Sequence, residues 1–389
     1  MRTVIEVKEC MLDRQSEFNI KRFKVGNLRV ERPVKVINAK TITKSVFEEY
    51  RESFEIKMFE SSLYVTEKGV ESILAERDEE EIKKHFAFKK WFREHGFVVA
   101  ATLQFNPFML GMGKVEGYLA YLYTFSRPIV LIPNVKIEKV TSKNGKRVKS
   151  SIISLDEYLN FVDNAVDFLD KRNNKPLFVP VSLRFGVDEL KRIIDHYLEK
   201  EYKCLWFDFE GFPVSETRIA RIRVISDEIE RKGELKDIVI YATNIRREII
   251  SNLKDANSPA SDVLAPIIGA NIIGTNREPR RPIEPTSRMS ERDLLLHKAR
   301  VLDPKTYYYV RVTEHIKDED LIQKLLNKNY NVTENSKRLD EEFKAQTEFF
   351  LEHSTIKNYV SSKRMLREHK KGELLETLFP SQANLTQWY

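Results

Sequence analysis

The chain has 389 residues, 41% of them hydrophobic and 32% charged, with a formal net charge of +7 and two cysteines. That is enough apolar sequence for one large α/β domain with a helical appendage, or for two or three smaller domains. Two cysteines, Cys10 and Cys204, exclude a disulfide framework or a Cys-rich zinc cluster built from this chain, and the mild basic excess permits nucleic-acid contact without demanding it. No apolar run is long enough to span a bilayer, and the N-terminus places charges where a signal peptide needs an apolar stretch, so a cytoplasmic location is expected.

Residues 1 to about 95 alternate short β-like segments (3–7, 27–31 and 34–38) with helical ones, 45–54 and the strongly charged 76–95. Residues 96–103 read as a strand that runs into the polar tip Gln104-Phe105-Asn106-Pro107. Gly111, Gly113 and Gly117 follow at spacings that fit neither phosphate-loop fingerprint, which favours a mobile or tightly packed connection. From Pro128 the rhythm is regular. A strand at 129–132 leads to a basic hairpin turning at Asn144-Gly145. Ser154 to Glu157 has capping-box spacing and opens a helix, a strand is expected at 177–183, and Val187, Leu190, Ile193, Ile194, Tyr197 and Leu198 stripe the next helix.

The central stretch Cys204-Leu-Trp-Phe-Asp-Phe-Glu210 reads as a buried strand ending in two carboxylates. A helix carrying Ile219, Ile222, Ile225 and Ile229, a strand at 238–242, a helix near 246–253 and a strand at 271–274 continue the pattern. Strand and helix alternating every 25 to 35 residues or so is the rhythm of a (β/α) TIM-barrel-like core or of an open doubly wound sheet, and the lack of a glycine fingerprint favours the barrel. In such sheets chemistry gathers at the carboxyl ends of the strands. Asp208 and Glu210 lie there, as alternate strand residues expected to share a face, on a metal or as acid and base. Gln104, Asn106, Arg184 and Asn244, at the ends of other strands, can complete a polar pocket. The seven histidines are scattered without ligand spacing, no metal site is assigned, and the cofactor is left open.

Three prolines within 278–285 end the regular core, so the chain divides into a barrel-like domain (1–285), a mostly helical C-terminal region (286–380) and a tail (381–389). The later helical part is basic: Lys357, Lys363, Arg364, Arg367, Lys370 and Lys371 form either a solvated face or a nucleic-acid contact. The tail reads Gln382-Ala-Asn-Leu385-Thr-Gln-Trp388-Tyr389. If Leu385 to Tyr389 winds as one 3₁₀ turn, Leu385 and Trp388 project from one side with Tyr389 beside them, and Gln382 offers an amide to a polar pocket.

Gln, two residues, an aliphatic, two residues and two aromatics resembles the peptide by which replication and repair proteins bind the sliding clamp (PCNA). The resemblance implies Gln382, Leu385, Trp388 and Tyr389 as anchors, the clamp as partner, and work on or near DNA. A second likeness is looser. Residues 23–36 resemble the opening strands of tRNA-guanine transglycosylases, and 261–274 the helix and strand that in that family deliver a nucleophilic aspartate. Asn271 and Thr275 stand near where that aspartate is wanted, and the zinc cluster is missing, so the resemblance implies a site rebuilt around other groups. Two functions follow: a clamp-tethered DNA-associated protein of replication, repair or base modification, or an enzyme acting on nucleotides or nucleic-acid bases with Asp208 and Glu210 at its mouth. They differ in one expectation. An enzyme needs convergent polar groups at the strand ends, whereas a clamp regulator fills that mouth with apolar side chains.

Overall fold

The structure is a computed structural model that describes residues 5–143, 146–151, 153–172, 174–248, 257–277 and 290–380. It opens with an antiparallel sheet of β1 (Glu6–Leu12), β2 (Asn19–Val25) and β3 (Leu28–Val30). Val25 faces Leu28 across a two-residue turn in which Gly26 takes the left-handed backbone, φ +57°, that such turns favour. The sequence pattern misses β2 because it carries Lys21, Arg22 and Lys24. Lys21 is nevertheless buried, donating to the carbonyls of Leu235, at 2.7 Å, and Ile238.

One extended segment follows as β4 (Val34–Lys35) and β5 (Ile37–Asn38), then α1 (Lys44–Tyr50), capped by the Thr43 side chain, and β6 (Met58–Tyr64). Three helices, α2 (Glu67–Ala75), α3 (Glu79–His85) and α4 (Phe92–His95), precede β7 (Phe97–Leu103). The continuous helix expected over 76–95 is therefore broken. Phe86, Phe88 and Phe92 all turn into the core, which one straight helix with a charged face does not allow, and Ala87 takes a left-handed backbone (φ +50°) at the break. α5 (Met112–Phe125) begins after Gly111. Of the three glycines only Gly117 serves packing, since a Cβ there would lie 2.9 Å from a Leu74 methyl on α2, whereas one on Gly111 or Gly113 would meet nothing within 4 Å.

Beyond α5 the chain follows the expected rhythm: β8 (Val130–Leu131), the hairpin β9 (Glu138–Lys143) and β10 (Lys146–Ser151), α6 (Leu155–Asp170), β11 (Leu177–Ser182), α7 (Val187–Glu199), β12 (Cys204–Asp208), α8 (Glu216–Arg231) and β13 (Val239–Thr243). Lys143 faces Lys146 across the hairpin, although the expected turn residues Asn144 and Gly145 lie outside the described residues. Ser154 and Glu157 form the capping box. Residues 246–248 are not helical, and the rest of the helix expected at 246–253 lies outside the described residues. β14 (Ser258–Pro259) and two short 3₁₀ turns lead to β15 (Ile272–Ile273).

The parallel strands order β4-β15-β13-β12-β11-β8 in one sheet and β5-β6-β7 in a second. β4 and β5, parts of one segment, belong to different sheets. Beside β7 and β8, Asn134 N–H donates to Thr102 O (3.0 Å) and Phe105 N–H to Asn134 O (2.8 Å). The fold is thus mixed α/β, built on a curled six-stranded parallel half-barrel. Alternate residues of both sheets share one apolar interior: Val34, Val36, Met58, Val99, Ala101, Leu131, Phe178, Cys204, Trp206, Val239, Tyr241 and Ile272. Ile5, Phe23, Val25, Leu28 and Val30 close it, beside strand-entry residues such as Cys204 and Val239. Helices cover the outer face through a larger apolar layer.

The C-terminal region comprises α9 (Glu291–Lys298), β16 (Arg300–Asp303), β17 (Tyr308–Arg311), α10 (Val312–His315), α11 (Glu319–Leu326), the 26-residue α12 (Lys328–His353), α13 (Lys357–Ser361), α14 (Arg364–Glu368) and α15 (Glu373–Leu378). It shares the outer apolar layer through Leu339, Phe343 and Phe350 of α12, each worth about 1.5–3 kcal/mol on burial. Asp340 fixes α12 against β4, accepting from the Arg32 guanidinium (2.8 and 3.2 Å) and the Lys35 N–H (2.9 Å). Among the described residues no helix is long and apolar enough to cross a membrane.

Candidate active site

Strand phase decides which side chains meet at the carboxyl ends. On β12, Cys204 and Trp206 face the apolar interior, so Asp208, two residues on, faces it too. The same parity carries Ser182 from Phe178 on β11, Thr243 from Tyr241 on β13, Gly274 from Ile272 after β15, and Glu60 from Met58 on β6. Ser182 pairs with Asp208, and Asp208 with Thr243, as direct neighbours across three strands. One residue step thus converts an apolar interior into a polar floor.

Asp208 is 1% exposed and accepts three hydrogen bonds, from the Glu210 N–H (2.6 Å), Asn244 Nδ2 (2.7 Å) and Asn134 Nδ2 (3.2 Å). Burial, and then the neighbouring Glu210 charge, push its carboxyl up to about 6 despite those donors. Both protonation states are then populated near neutral pH, as general acid–base chemistry requires. Asn134 Oδ1 and Ser182 Oγ, beside it, are buried without a hydrogen-bond partner. Buried polar atoms are nearly always satisfied, so these two are open to a water or a ligand.

Glu210 joins Asp208 by a different geometry from the one expected. The strand ends at Asp208, and Glu210 takes a left-handed backbone (φ +54°), so the two do not share a face by alternation. Its carboxylate pairs instead with the Arg184 guanidinium. Gln104 and Asn244, at the ends of β7 and β13, are left-handed as well, with φ +56° and +59°. For ordinary L-residues that backbone costs about 1–2 kcal/mol, and such strain clusters at functional sites. Of the four further residues expected in the pocket, Asn244 touches Asp208 and Arg184 touches Glu210. Asn106 turns to Glu67 (2.9 Å), and Gln104 contributes its backbone bend.

The rim is aromatic and basic. Tyr64, 51% exposed, donates to Asn244 Oδ1 (3.4 Å), and the Arg277 guanidinium lies 5.7 Å from its ring. Arg277 crosses Gly211, where a Cβ would stand 2.4 Å from Arg277 Cδ. Phe212, 44% exposed, lies under the guanidinium of Arg218 at 5.0 Å.

A second buried carboxylate, Glu60, shares the floor and escaped sequence reading. It accepts from Ser62 Oγ (2.6 Å), Thr243 Oγ1 (2.7 Å), Thr275 Oγ1 (2.7 Å), Tyr241 OH (2.5 Å) and the Thr275 N–H (3.2 Å). Gly274 is required beside it, since a Cβ would stand 2.0 Å from Glu60 Oε2. Among the described residues, no three His, Cys, Asp or Glu side chains converge to hold a metal ion. Asn271 turns from the mouth, donating to Asn19 (2.7 Å), whereas Thr275 contacts Glu60.

The basic C-terminal residues do not act together. Lys363 is buried, donating to Pro304 O (2.9 Å) with its ammonium 3.9 Å from the Tyr359 ring centroid, so it is part of the core rather than of a solvated face. Arg364 pairs with Glu368 and Lys370 with Glu216, while Lys357 and Arg367 are exposed; the Lys371 side chain is outside the described residues. Gln382, Leu385, Trp388 and Tyr389 also lie outside them. No protein-family model matches the chain, and no curated protein matches it. Fold and site together define an α/β protein with a cluster of buried polar side chains at the carboxyl ends of parallel strands.

Proposed function

We propose that the chain is an enzyme acting on the bases of nucleic acid or on nucleotides, with Asp208 as its reacting carboxylate, brought to DNA by a sliding clamp that binds its tail. The observation that carries the enzymatic reading is the mouth itself, where Asp208, Asn134, Ser182, Asn244 and Thr243 converge in place of an apolar filling. In this reading the two parallel sheets form one (β/α) barrel, joined through the segment of β4 and β5 on one side and the Asn134 hydrogen bonds on the other. Asp208 exchanges a proton with the substrate or attacks it. Asn134 and Asn244 hold the carboxylate in one orientation, and Asn134 Oδ1 and Ser182 Oγ take up substrate donors. A planar ring fits the rim formed by Tyr64 and Phe212, while Arg277 and Arg218 offer charge to phosphate. The tail supplies location and no chemistry.

The test incubates the purified chain with single-stranded DNA, duplex DNA and tRNA, with and without isotopically labelled nucleobases, and quantifies the nucleosides after complete digestion. A change in base composition that disappears in Asp208→Asn is expected. Unaltered nucleosides in every substrate overturn the enzymatic reading. In a separate arm, titration calorimetry against a sliding clamp compares the full chain with one lacking its last eight residues, and equal affinity removes the tether.

A further inference from the structure

At the opposite ends of the strands a second site is built from cations. Gly96 precedes β7, Arg127 precedes β8 and Lys175 precedes β11, and around these three strand entries lies a cavity of about 420 Å³ lined by Arg93, Arg127, Arg172 and Lys175. That volume falls in the range of small-molecule sites and well exceeds a single phosphate. Buried cations elsewhere in the chain take a carboxylate, as Arg32 takes Asp340, or backbone carbonyls, as Lys21 does; at the cavity Arg93, Arg127 and Arg172 are exposed and Lys175 is half-buried. Here, among the described residues, none of the four stands within ion-pairing distance of a carboxylate.

Three of these cations, Arg93, Arg172 and Lys175, lie beside aromatic rings. The Arg93 guanidinium sits 5.1 Å from the Phe88 ring centroid, and Arg172 lies 5.6 Å from Tyr123 and 5.8 Å from Phe168. Stacking on a ring engages the flat face of a guanidinium and leaves its in-plane N–H edges for a planar or tetrahedral oxyanion. Lys175 is fixed over Tyr123 at 4.4 Å while donating to Ser126 O (2.9 Å) at the end of α5. Asn174 Oδ1 accepts from Tyr123 OH, which leaves its Nδ2 as a further donor at the rim. Like charges held together without a contacting carboxylate cost free energy that a bound anion recovers. Consistent with this, burial and then Arg127 and Arg172 lower the Lys175 ammonium to about 8.

We propose that this cavity binds the di- or triphosphate group of a free nucleotide, or pyrophosphate itself, at a site separate from the mouth. Four cations exceed what one orthophosphate needs, and they cup a single recess instead of forming a stripe, which favours a compact polyphosphate over a nucleic-acid backbone. The seven residues of β7 put roughly 20 Å between the cavity and the mouth. A ligand here therefore cannot react at Asp208, and it acts as an effector or a second substrate anchor.

Titration calorimetry of the full chain at fixed ionic strength, with pyrophosphate, ADP, ATP, orthophosphate and a short single-stranded oligonucleotide as separate probes, tests this. Saturable one-site binding of pyrophosphate or a nucleotide is expected, weakened at least 10-fold in both Arg127→Gln and Arg172→Gln and unchanged in Asp208→Asn, with circular dichroism reporting the fold of each variant. Nucleotides binding more tightly than pyrophosphate would name the nucleotide as the ligand; equal affinities would name the phosphates alone. No saturable binding of these polyphosphates, binding unaffected by either arginine variant, or binding of the oligonucleotide only would each overturn the proposal. Because pyrophosphate carries no base for the mouth to act on, its binding and the two arginine variants test the cavity independently of whether Asp208 is catalytic.

Discussion

Glu60 and Asp208 are both buried carboxylates on the same floor, yet their surroundings assign them opposite work. Glu60 takes hydrogen bonds from four hydroxyl groups and a backbone N–H drawn from β6, β13 and the turn after β15, so its charge is spread over a shell that ties those strands together. Asp208 has three amide donors, a second acid two residues on, and two unpartnered polar atoms beside it. A carboxylate that is fully provided for is a structural joint. One that is held in place but left short of compensation keeps a raised proton affinity, beside polar atoms still open to a partner. The comparison turns on donors and neighbours, since both groups are equally hidden from water.

The largest effect separating the two is expected in Glu60→Ala. Removing the acceptor leaves the hydroxyls of Ser62, Tyr241, Thr243 and Thr275 and one N–H to find new partners in a dry interior, and the loss should be about 3–5 kcal/mol. Urea unfolding followed by tryptophan fluorescence measures it. A loss below about 1 kcal/mol would show that Glu60 is no joint and erase the contrast with Asp208.

Asp208 should show its character through pH. Its carboxyl stands at about 6 against 3.8 for an unperturbed group. The folded state holds this proton more tightly than the unfolded chain, so the stabilisation is complete below pH 3.8 and is lost as pH rises through about 6. The loss totals about 3 kcal/mol. Measured as the difference in unfolding free energy between the parent chain and Asp208→Asn, the parent should lose ground by about 2 kcal/mol from pH 4 to pH 7, the rest of the loss lying below pH 4. Activity should run the other way, rising through about pH 6 as the carboxylate ionises. A difference that is flat with pH would place Asp208 in an ordinary hydrogen-bonded setting.

The unequal legibility of the two acids has a physical cause. Asp208 ends an apolar run that can only be a buried strand, and the helices on either side fix its direction, so its position at a carboxyl end follows from the residues. Glu60 sits inside Met58-Phe-Glu-Ser-Ser-Leu-Tyr64, where a charge and two serines interrupt the apolar pattern, and the strand is invisible until its partners are in place. Parity was the missing signal: Met58, Glu60 and Ser62 keep one phase, as Cys204, Trp206 and Asp208 do. Asn134 was hidden because Pro133 separates it from the apolar run read as a strand at 129–132, so it falls beyond the strand end. The Glu210 bend could not be foreseen either, since alternation holds only while the backbone stays extended.

Gly274 supplies the smallest and most local test, because it stands where the two acids' surroundings meet. A Cβ there would come within 2.0 Å of Glu60 Oε2 and 2.5 Å of Thr243 Oγ1. Thr243 is the cross-strand neighbour of Asp208 and also a donor to Glu60, so whatever moves to admit a methyl group disturbs the Glu60 shell first and Asp208 second. Gly274→Ala should cost about 1–3 kcal/mol, the usual range for forcing a methyl into a packed interior. The same change in Glu60→Ala should cost distinctly less, because the atom it strikes has gone. Equal costs in the two backgrounds would mean that the glycine answers a backbone requirement and that Glu60 does not set the spacing of the floor.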